Sequence, residues 1–395
     1  MMPVVAGTAF RRIDTVFEVD FTSFTPGAGS LTSTGTLYER LSPQYTVQTS
    51  ATTVSTDAAF ANSNSVPIGK NATGVGIVMD ESRAARVTAW RDQSSWTNVG
   101  GGTITSDTAA GPDGSVLADQ SQTTSGNTGY RLAVTHTANQ IWSYWHKSPT
   151  GGAIGQAIVN NGSGVFYLIF AGTEPSVWTR STVYVPSGGS TTSLFNGADG
   201  TNMTAIGGLG AGARDSLIDM VQVEDGQFPT ETIGAAATRA APKWYRNVGS
   251  TCLSSDSSLR PYFELEPKGA CTEYTADMTL WSNPVNGDCS VIDSATQAVK
   301  TTVGGVTYTT PVSMSWARED RLRIFEIVGG SNVTNVQYAV NSSSPIRLST
   351  GSPTTFGSLT ISGNLDFLQT NKTKVFSSRC QRLRFYKVNK TPSDF

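Results

Sequence analysis

The stretch Asp219–Trp244, DMVQVEDGQFPTETIGAAATRAAPKW, decides the fold that the sequence predicts. It begins with an apolar, strand-like run and ends in a glycine, a proline and a tail of small residues. Gly226 permits the turn that ends the run. Pro229 has no N–H to give to a neighbouring strand, so it belongs at a sheet edge. We interpret the stretch as the closing edge of a β domain.

The rest of the chain repeats this pattern of short runs between turn clusters. In TVFEVDFTSF (15–24), apolar and acidic residues alternate, which predicts a half-buried strand. The run GVFYLIFAG (164–172) is continuously apolar and predicts a strand buried on both faces. Clusters such as NNGSG and NSSSP indicate turns. Helical periodicity is almost absent, and Asp80–Trp90 is the best candidate for a short helix or turn.

Alternating strands predict the fold class. An antiparallel sheet with one apolar face must bury that face against a second sheet, which gives a sandwich. A chain of 395 residues is too long for one ordinary core. We therefore expect an all-β protein with two β-sandwich domains of the jelly-roll type in tandem. The predicted domains are residues 1–243 and a smaller domain of residues 244–395, joined near AAPKWYRNVGS.

The amino-acid composition limits the classes of partner that the chain is expected to bind. Charged residues make up 15% of the chain and the formal net charge is −2, so no basic face for nucleic acid is expected. The first residues lack the charged start and long apolar region of a secretory signal. The longest apolar run, Val165–Ala171, is far shorter than a membrane span. We expect a protein made in the cytoplasm, without a membrane partner.

The cysteines all lie from residue 252 onward, and this uneven distribution indicates a domain boundary before them. They are Cys252, Cys271, Cys289 and Cys380. Their spacings are too wide for a zinc site of the Cys-x-x-Cys type. Free buried thiols are the favoured interpretation, and if disulfides form instead, the sequence allows three pairings. Loops such as AGPDGS lack the spacing of an EF-hand, so the sequence assigns no metal and no cofactor.

Three segments of the N-terminal part form an ordered set of motifs. The first is Gly74–Val87, GVGIVMDESRAARV, and the second is Trp96–Gln120, a tryptophan and a Thr/Val strand followed by Gly-Pro-Asp-Gly and a small-residue strand. The third is the closing stretch. The residues that carry the motifs are Gly76, Glu81, Arg83, Gln222, Glu224, Gly226, Pro229, Thr230, Thr238 and Arg239.

Together these segments resemble a pattern of bacteriophage structural proteins with a concanavalin A-like, carbohydrate-binding-module-type jelly roll. The chain departs from that pattern at Ala84 and Ala85, where the family usually shows Thr and Asn, and at 231–233, where Ser-Tyr-Ile is common. The C-terminal part is more loosely similar to the late strands of another concanavalin-like sandwich, through SMSWAREDRLRIFEIVGG.

The resemblance implies a non-enzymatic virion protein on the particle surface, either a head decoration protein or part of the tail's adhesion apparatus. The expected partners are other capsid or tail proteins and copies of the same chain, with a trimer favoured. The expected location is the virion, assembled in the host cytoplasm. Within the motifs, Arg83 and Arg239 are predicted to reach a buried carboxylate such as Glu81 or Glu224, because a bidentate pair would pin a loop across the sandwich.

A second, compatible hypothesis is binding of host-surface carbohydrate. Sugar rings stack on exposed aromatic faces beside polar groups that bind their hydroxyls. The candidates are Trp90, Trp96, Trp178 and Trp244, near loops such as NNGSG and NGADG. Core packing is the alternative for each of them.

The remaining alternative is a glycoside hydrolase of the same fold, which needs two carboxylates across a cleft. The pairs Glu18/Asp20, Glu224/Asp225 and Glu264/Glu266 are the acidic neighbours, but the Glu-x-Asp-x-x-Glu arrangement is missing. The histidines, His136 and His146, come without a nucleophile elbow for Ser-His-Asp catalysis. We expect His146 at the surface or the edge of the core.

Overall fold

The structure of the chain is a computed structural model. It describes residues 86–112, 116–123, 129–135, 139–186, 191–197, 212–230, 258–329, 335–349, 363–370 and 374–386, positions 79, 209, 359 and 361, and the strands given below that lie outside these ranges.

The strands described before residue 86 are short and come from the N-terminal segment. They are β1 Thr15–Asp20, β2 Thr32–Ser33, β3 Leu37–Leu41, β4 Gln44–Gln48, β5 Thr52–Thr53, β6 Phe60–Ser63, β7 Ile68–Asn71, β8 Gly74–Met79 and β9 Arg83–Ala84.

The middle of the chain supplies ten further strands within the described residues. They are β10 Thr97–Val99, β11 Thr103–Ala110, β12 Val116–Thr123, β13 Gly129–Thr135, β14 Gln140–Lys147, β15 Ile154–Asn160, β16 Phe166–Thr173, β17 Thr179–Val185, β18 Thr191–Gly197 and β19 Arg214–Asp225. They form two five-stranded sheets, in the orders β10-β13-β18-β15-β16 and β11-β12-β19-β14-β17.

These two sheets share one core, and we call them the first sandwich. Alternate residues of each strand point inward, so bulky side chains from both sheets meet between them. The buried residues of this core include Tyr130, Val134, Trp142, Tyr144, Val159, Leu194, Ile218, Val221 and Val223. The alternating pattern of the sequence thus produces a face-to-face sandwich.

The strands of the last third complete the chain. They are β20 Thr238–Arg239, β21 Lys243–Asn247, β22 Ser258–Leu259, β23 Pro261–Pro267, β24 Met278–Ser282, β25 Cys289–Ile292, β26 Val299–Val303, β27 Val306–Thr309, β28 Leu322–Gly329, β29 Asn335–Val340, β30 Ile346–Arg347, β31 Asn364–Phe367 and β32 Ser378–Tyr386.

Most of these strands form the second sandwich. One sheet has the order β30-β29-β28-β23-β32-β8-β7-β3-β4, with β1 beside β32 and β22 beside β28. The other has the order β27-β26-β25-β24-β31-β21-β6. Residues from both sheets share one core, which includes Phe263, Leu280, Trp281, Ile324, Phe367, Leu383 and Phe385.

The all-β, sandwich fold is confirmed by this architecture. The boundary between residues 243 and 244 stays a prediction, and strand pairing crosses it. Strands β1 and β8 pair with β32, and β6 pairs with β21. The first strands of the chain therefore lie in the sheets of the second sandwich.

One local expectation was wrong and another holds only in part. The segment Asp80–Trp90, expected to form a short helix or turn, contains no helix in its described part: β9 pairs with β20, and residues 86–90 include bends and are hydrogen-bonded to β19. There the Arg86 N–H donates to the Val223 carbonyl at 2.9 Å, and the Val221 N–H to the Trp90 carbonyl at 2.7 Å. Strand β16, expected to be buried on both faces, is an edge strand and half-buried because its outer side has no neighbouring strand in its sheet.

Helical structure in the described residues is limited to short turns. Two 3₁₀ turns cover Gln93–Ser95 and Cys271–Glu273. Within the described part of the chain, no helix is both long and apolar enough to span a bilayer.

Candidate functional site

One residue from each of five neighbouring strands forms a row across the outer face of the second sandwich. Arg384 of β32 lies opposite Tyr262 of β23, which lies opposite Phe325 of β28. Phe325 lies opposite Gln337 of β29, and Gln337 lies opposite Arg347 of β30. Neighbours of the row positions on the three central strands, among them Phe263, Ile324 and Val336, belong to the core. We call these five residues the outer-face row.

A small, open pocket of about 20 Å³ lies beside this row. Its lining combines aromatic rings with guanidinium and amide groups: Tyr262, Arg323, Phe325, Gln337, Tyr338, Ala339 and Pro345. A volume of this size holds about one water molecule, so the pocket does not enclose a ligand. A ligand on this face would lie across the surface above the pocket and meet its polar groups.

Hydrogen bonds fix the polar groups of the pocket. Arg323 Nη2 donates to the carbonyls of Asn341 and Ser343 at 3.0 and 3.2 Å, which holds the turn before Pro345. Gln337 Nε2 donates to Asn335 Oδ1 at 3.2 Å. The positions of these side chains are therefore set before any ligand arrives.

The phenol of Tyr262 is protonated at neutral pH. Burial, reinforced by the nearby carboxylate of Glu264, raises the pKa of Tyr262 to about 12. Its hydroxyl lies 3.3 Å from Glu264 Oε2, to which it donates. Tyr262 thus presents a neutral ring at the pocket.

The carboxylates on this face are held by arginines. Glu264 accepts from Arg321 Nε at 2.7 Å and from Arg382 Nη1 at 3.1 Å. Glu266 is paired with Arg379. A glycosidase pair must face a substrate across a cleft, whereas these two carboxylates lie on one strand within ion pairs. The Glu264/Glu266 pair therefore does not form the arrangement that the hydrolase alternative requires.

Two of the tryptophans proposed to bind sugar lie in the core. Trp96 is 5% exposed and Trp178 is 2% exposed. The indole N–H of Trp178 donates to the Ala110 carbonyl at 2.9 Å. Neither ring has a free face for stacking, so the expectation does not hold for these two, and core packing explains them.

The other two tryptophans are placed differently. Trp90 is half-buried, and the Arg91 guanidinium carbon lies 4.5 Å from the centroid of its ring. Its ring packs against the cores on both faces of the sheet that contains β19. Trp244 lies on β21, and its side chain is outside the described residues. The structure does not bring the four tryptophans together as one binding surface.

The motif residues of the closing stretch lie at the end of β19. Gln222 and Glu224 are buried on this strand. Glu224 accepts from the Thr230 backbone N–H at 3.0 Å and from the Thr230 hydroxyl. Gly226 follows with a φ of 136°, a conformation that favours glycine. These residues close the turn.

The two motif arginines lie on neighbouring strands, and the ion pair predicted for them falls outside the described residues. Arg83 and Arg239 lie opposite each other on β9 and β20, and their side chains are outside the described residues, as is Glu81. Gly76 lies on β8. The bidentate pair observed nearby joins Arg86 to Asp225, with nitrogen–oxygen distances of 2.9 and 2.5 Å.

The sequence analysis did not predict a hydrogen-bonded group of polar side chains in the first sandwich. His146 Nδ1 lies 2.6 Å from Glu174 Oε2, and His146 Nε2 lies 2.8 Å from Ser181 Oγ. The expectation that His146 lies at the surface or core edge is wrong, because its side chain is fully buried. His136 is outside the described residues. A histidine that alternates with aromatic residues on a strand is a weak signal of such burial.

The described cysteines are free thiols. Cys271 and Cys380 are buried and Cys289 is half-buried. Burial raises the pKa of the Cys380 thiol well above its usual range, so it stays protonated. Cys252 is outside the described residues. In the part of the chain that the structure describes, no group of three or more His, Cys, Asp or Glu side chains is arranged to hold a metal ion.

Comparisons with known proteins return distant matches. No protein-family model and no curated protein matches the chain. A xylan-binding domain from Paenibacillus barcinonensis matches with a TM-score of 0.25 and 15% identity, over 37% of this chain and 94% of that one. An alginate lyase with a carbohydrate-binding module matches with a TM-score of 0.19 and 9% identity, over 74% and 97%.

A third match is botulinum neurotoxin type C, whose cell entry depends on two ganglioside molecules. Its TM-score is 0.20 and its identity 7%, over 79% of this chain and 99% of the toxin chain. A carbohydrate-binding domain and a neurotoxin are thus among the solved structures that the search finds. Scores this low carry no argument, so the proposals below rest on the residues of this chain.

Proposed function

We propose that the chain binds carbohydrate on the outer face of its second sandwich, as a surface protein of a bacteriophage particle. The observation that carries the binding proposal is the outer-face row, which places two aromatic rings, an amide and two guanidinium groups beside a pocket. The role proposed for this face is non-enzymatic, since Glu264 and Glu266 are engaged by arginines.

The chemistry of the row suits a sugar. A pyranose has one largely apolar face, which an aromatic ring covers, and hydroxyls around its rim, which amide and guanidinium groups bind. Gln337 and Arg323 supply half-buried polar groups and Pro345 an exposed apolar ring, whereas Phe325 and Tyr262, at 3% and 4% exposure, form the floor of the pocket beneath them. Paired strands hold all of these except Pro345 in place, so little ordering is needed on binding.

The bacteriophage assignment is supported by the order of the three motifs in the sequence. The low charge and the Ser/Thr/Gly-rich composition suit a protein packed against other coat or tail proteins. In this proposal the partners are other virion proteins and further copies of the chain, a trimer being favoured, and host-surface glycans are the ligands. The location is the virion.

Titration calorimetry against a panel of neutral and acidic bacterial surface polysaccharides tests the binding face. Arg323→Ala removes the guanidinium, and Gln337→Ala removes the amide. We expect each to weaken binding about tenfold or more, as loss of hydrogen bonds to the ligand does. Gln122→Ala, at an exposed glutamine of the first sandwich, is the matched control.

Two outcomes would contradict the proposal. Wild-type protein that binds no polysaccharide in the panel contradicts the binding role. Binding that survives both pocket substitutions but falls with Gln122→Ala assigns the ligand to the first sandwich. Mass spectrometry of purified phage particles tests the location independently, and absence of the chain from them contradicts the virion assignment.

A further inference from the structure

The first sandwich contains three side chains in a hydrogen-bonded relay. Ser181 Oγ lies 2.8 Å from His146 Nε2, and the opposite ring nitrogen, Nδ1, lies 2.6 Å from Glu174 Oε2. His146 is on β14, Ser181 is on the adjacent β17, and Glu174 follows the end of β16. A hydroxyl, an imidazole and a carboxylate in this order and at these distances match the arrangement that activates a serine nucleophile.

The carboxylate of the relay is fixed from a second side. Ser216 Oγ donates to Glu174 Oε1 at 2.5 Å, which leaves Oε2 directed at His146. Glycine at position 155 makes room for this carboxylate, because a Cβ there would lie 1.5 Å from Glu174 Oε1. The backbone is therefore shaped around the side chain of Glu174.

Two aromatic side chains hold the imidazole of His146 in place. The His146 ring stacks on Tyr144 at 4.7 Å between centroids and packs against Phe170 at 4.4 Å. His146 is fully buried and Glu174 is 4% exposed, so both are shielded from water. Such fixed geometry in a dry site is what a general base needs to take a proton from one defined hydroxyl.

The serine is the member of the relay that reaches the surface. Ser181 is half-buried on β17, an edge strand of its sheet. Strand β17 contacts β16, the edge strand of the opposite sheet. Ser181 therefore lies at the rim of the sandwich beside β16, whereas His146 and Glu174 lie deeper in it.

We propose that Ser181 is the nucleophile of a hydrolytic site for small carboxylic esters, with His146 as the base and Glu174 as the positioning residue. This site lies in the first sandwich and goes beyond the proposed carbohydrate-binding function. A half-buried serine between two edge strands admits a short acyl group, such as acetyl, more readily than a bulky one. The substrate class is thus an acetyl or similarly small ester.

The chemistry balances without a cofactor. Ser181 Oγ attacks the ester carbonyl carbon while its proton moves to His146 Nε2, and the alcohol leaves with that proton. The result is an acyl ester on Ser181. Water then attacks the acyl carbon and gives a proton to His146, which returns it to Ser181 Oγ as the carboxylic acid departs. Glu174 holds the ring nitrogen Nδ1 throughout.

The test uses the full chain with two probes, p-nitrophenyl acetate and a fluorescent fluorophosphonate. We expect wild-type protein to carry one fluorophosphonate adduct on Ser181 and to hydrolyse p-nitrophenyl acetate. Ser181→Ala should lose the adduct and lower the hydrolysis rate about 100-fold or more, the usual range for loss of the base-assisted step. The matched control is Thr182→Ala, whose hydroxyl is one residue along β17 and on its other face.

The variant Glu174→Gln distinguishes a role of Glu174 in orienting His146 from a role in stabilising the fold. A glutamine keeps the size of the side chain but donates where the carboxylate accepts, so it disfavours the ring tautomer in which Nδ1 carries the proton. We expect kcat for p-nitrophenyl acetate to fall at least about 100-fold while KM changes little. Circular dichroism and thermal unfolding show whether each variant is folded, and Thr182→Ala should match wild type in every assay.

Three results would overturn the proposal. These are no fluorophosphonate adduct on folded wild-type protein, an adduct on a residue other than Ser181, or equal hydrolysis by wild type and folded Ser181→Ala. If Ser181→Ala does not fold, adduct mapping on wild type still decides the matter. Polysaccharide binding through the second sandwich is measured separately, so either proposal can fail without the other.

Discussion

The carboxylate of Glu224 binds both the backbone N–H and the hydroxyl of Thr230, across the turn that ends the central strand of the first sandwich. Both residues are buried, at 0% and 1% exposure. A buried carboxylate needs donors to replace water, and Thr230 supplies two from one residue. This contact explains why the closing motif contains a glutamate and a threonine six positions apart.

The first prediction concerns this contact. Thr230→Val removes the hydroxyl donor but keeps the shape of the side chain, which leaves the buried carboxylate with one fewer partner. We expect the free energy of unfolding to fall by about 1–3 kcal/mol, measured by urea denaturation. Thr230→Ser retains the hydroxyl and should stay close to wild type. Equal stability of the valine variant and wild type would show that the hydroxyl contributes nothing.

A second prediction concerns the glycine behind the Ser181–His146–Glu174 relay. In Gly155→Ala the new methyl group would overlap Glu174 Oε1, so the carboxylate must leave its place beside His146. We expect a loss of about 1–3 kcal/mol of unfolding free energy. Gly151→Ala is the control, because a Cβ there meets no atom within 4 Å. Similar urea midpoints for both variants would contradict the close packing at Gly155.

The fold class was predictable because side-chain alternation is a local property. The run that ends at Glu224 reads as a buried strand, and β19 is such a strand, at the centre of its sheet. Strand order is not local. Nothing in the segment around β1 indicates that its partner is β32, more than 300 residues later. The pairing across the predicted boundary therefore could not be found from periodicity.

The candidate sites were less predictable for the same reason. The outer-face row joins residues between 262 and 384 through strand register, which the sequence does not reveal. The tryptophan prediction relied on residue type, and residue type does not say which face of a strand is covered. Trp96 and Trp178 are covered, and so are the tyrosine and phenylalanine under the outer-face pocket, which leaves its polar groups as the accessible ones.

A third prediction concerns a carboxyl group in the second core. Glu326 is fully buried and accepts from Trp281 Nε1 at 2.9 Å, from Ser290 Oγ at 2.9 Å and from Thr301 Oγ1 at 2.6 Å. Burial raises the pKa of Glu326 above its usual 4.5, although the three hydrogen bonds oppose the rise. Folding therefore shifts the equilibrium of Glu326 towards the protonated form relative to the unfolded chain.

The sign of the pH effect follows from this direction. A raised folded-state pKa adds stability below the unfolded pKa, and this contribution is lost as pH rises through the folded-state value. Glu326→Gln does not titrate at this position. We therefore expect the unfolding free energy of wild type minus that of Glu326→Gln to decrease over a pH range that begins near the usual glutamate pKa of about 4 and extends upward through the folded-state value. Urea titrations of both proteins across this range measure it, and a constant or growing difference contradicts the prediction.

The last prediction concerns the ion pair between Glu266 and Arg379, which lie opposite each other on β23 and β32. Their side chains are 9% and 3% exposed, so little water is available to either charge. Arg379→Met leaves the carboxylate buried without this partner, and we expect a loss of about 3–5 kcal/mol of unfolding free energy. The double variant Glu266→Met, Arg379→Met removes both charges and should recover most of that loss, because an apolar pair of similar volume avoids the desolvation of an ion. Urea denaturation of the wild type, both single variants and the double variant forms a complete cycle. Additive effects of the two substitutions would show that the charges do not interact.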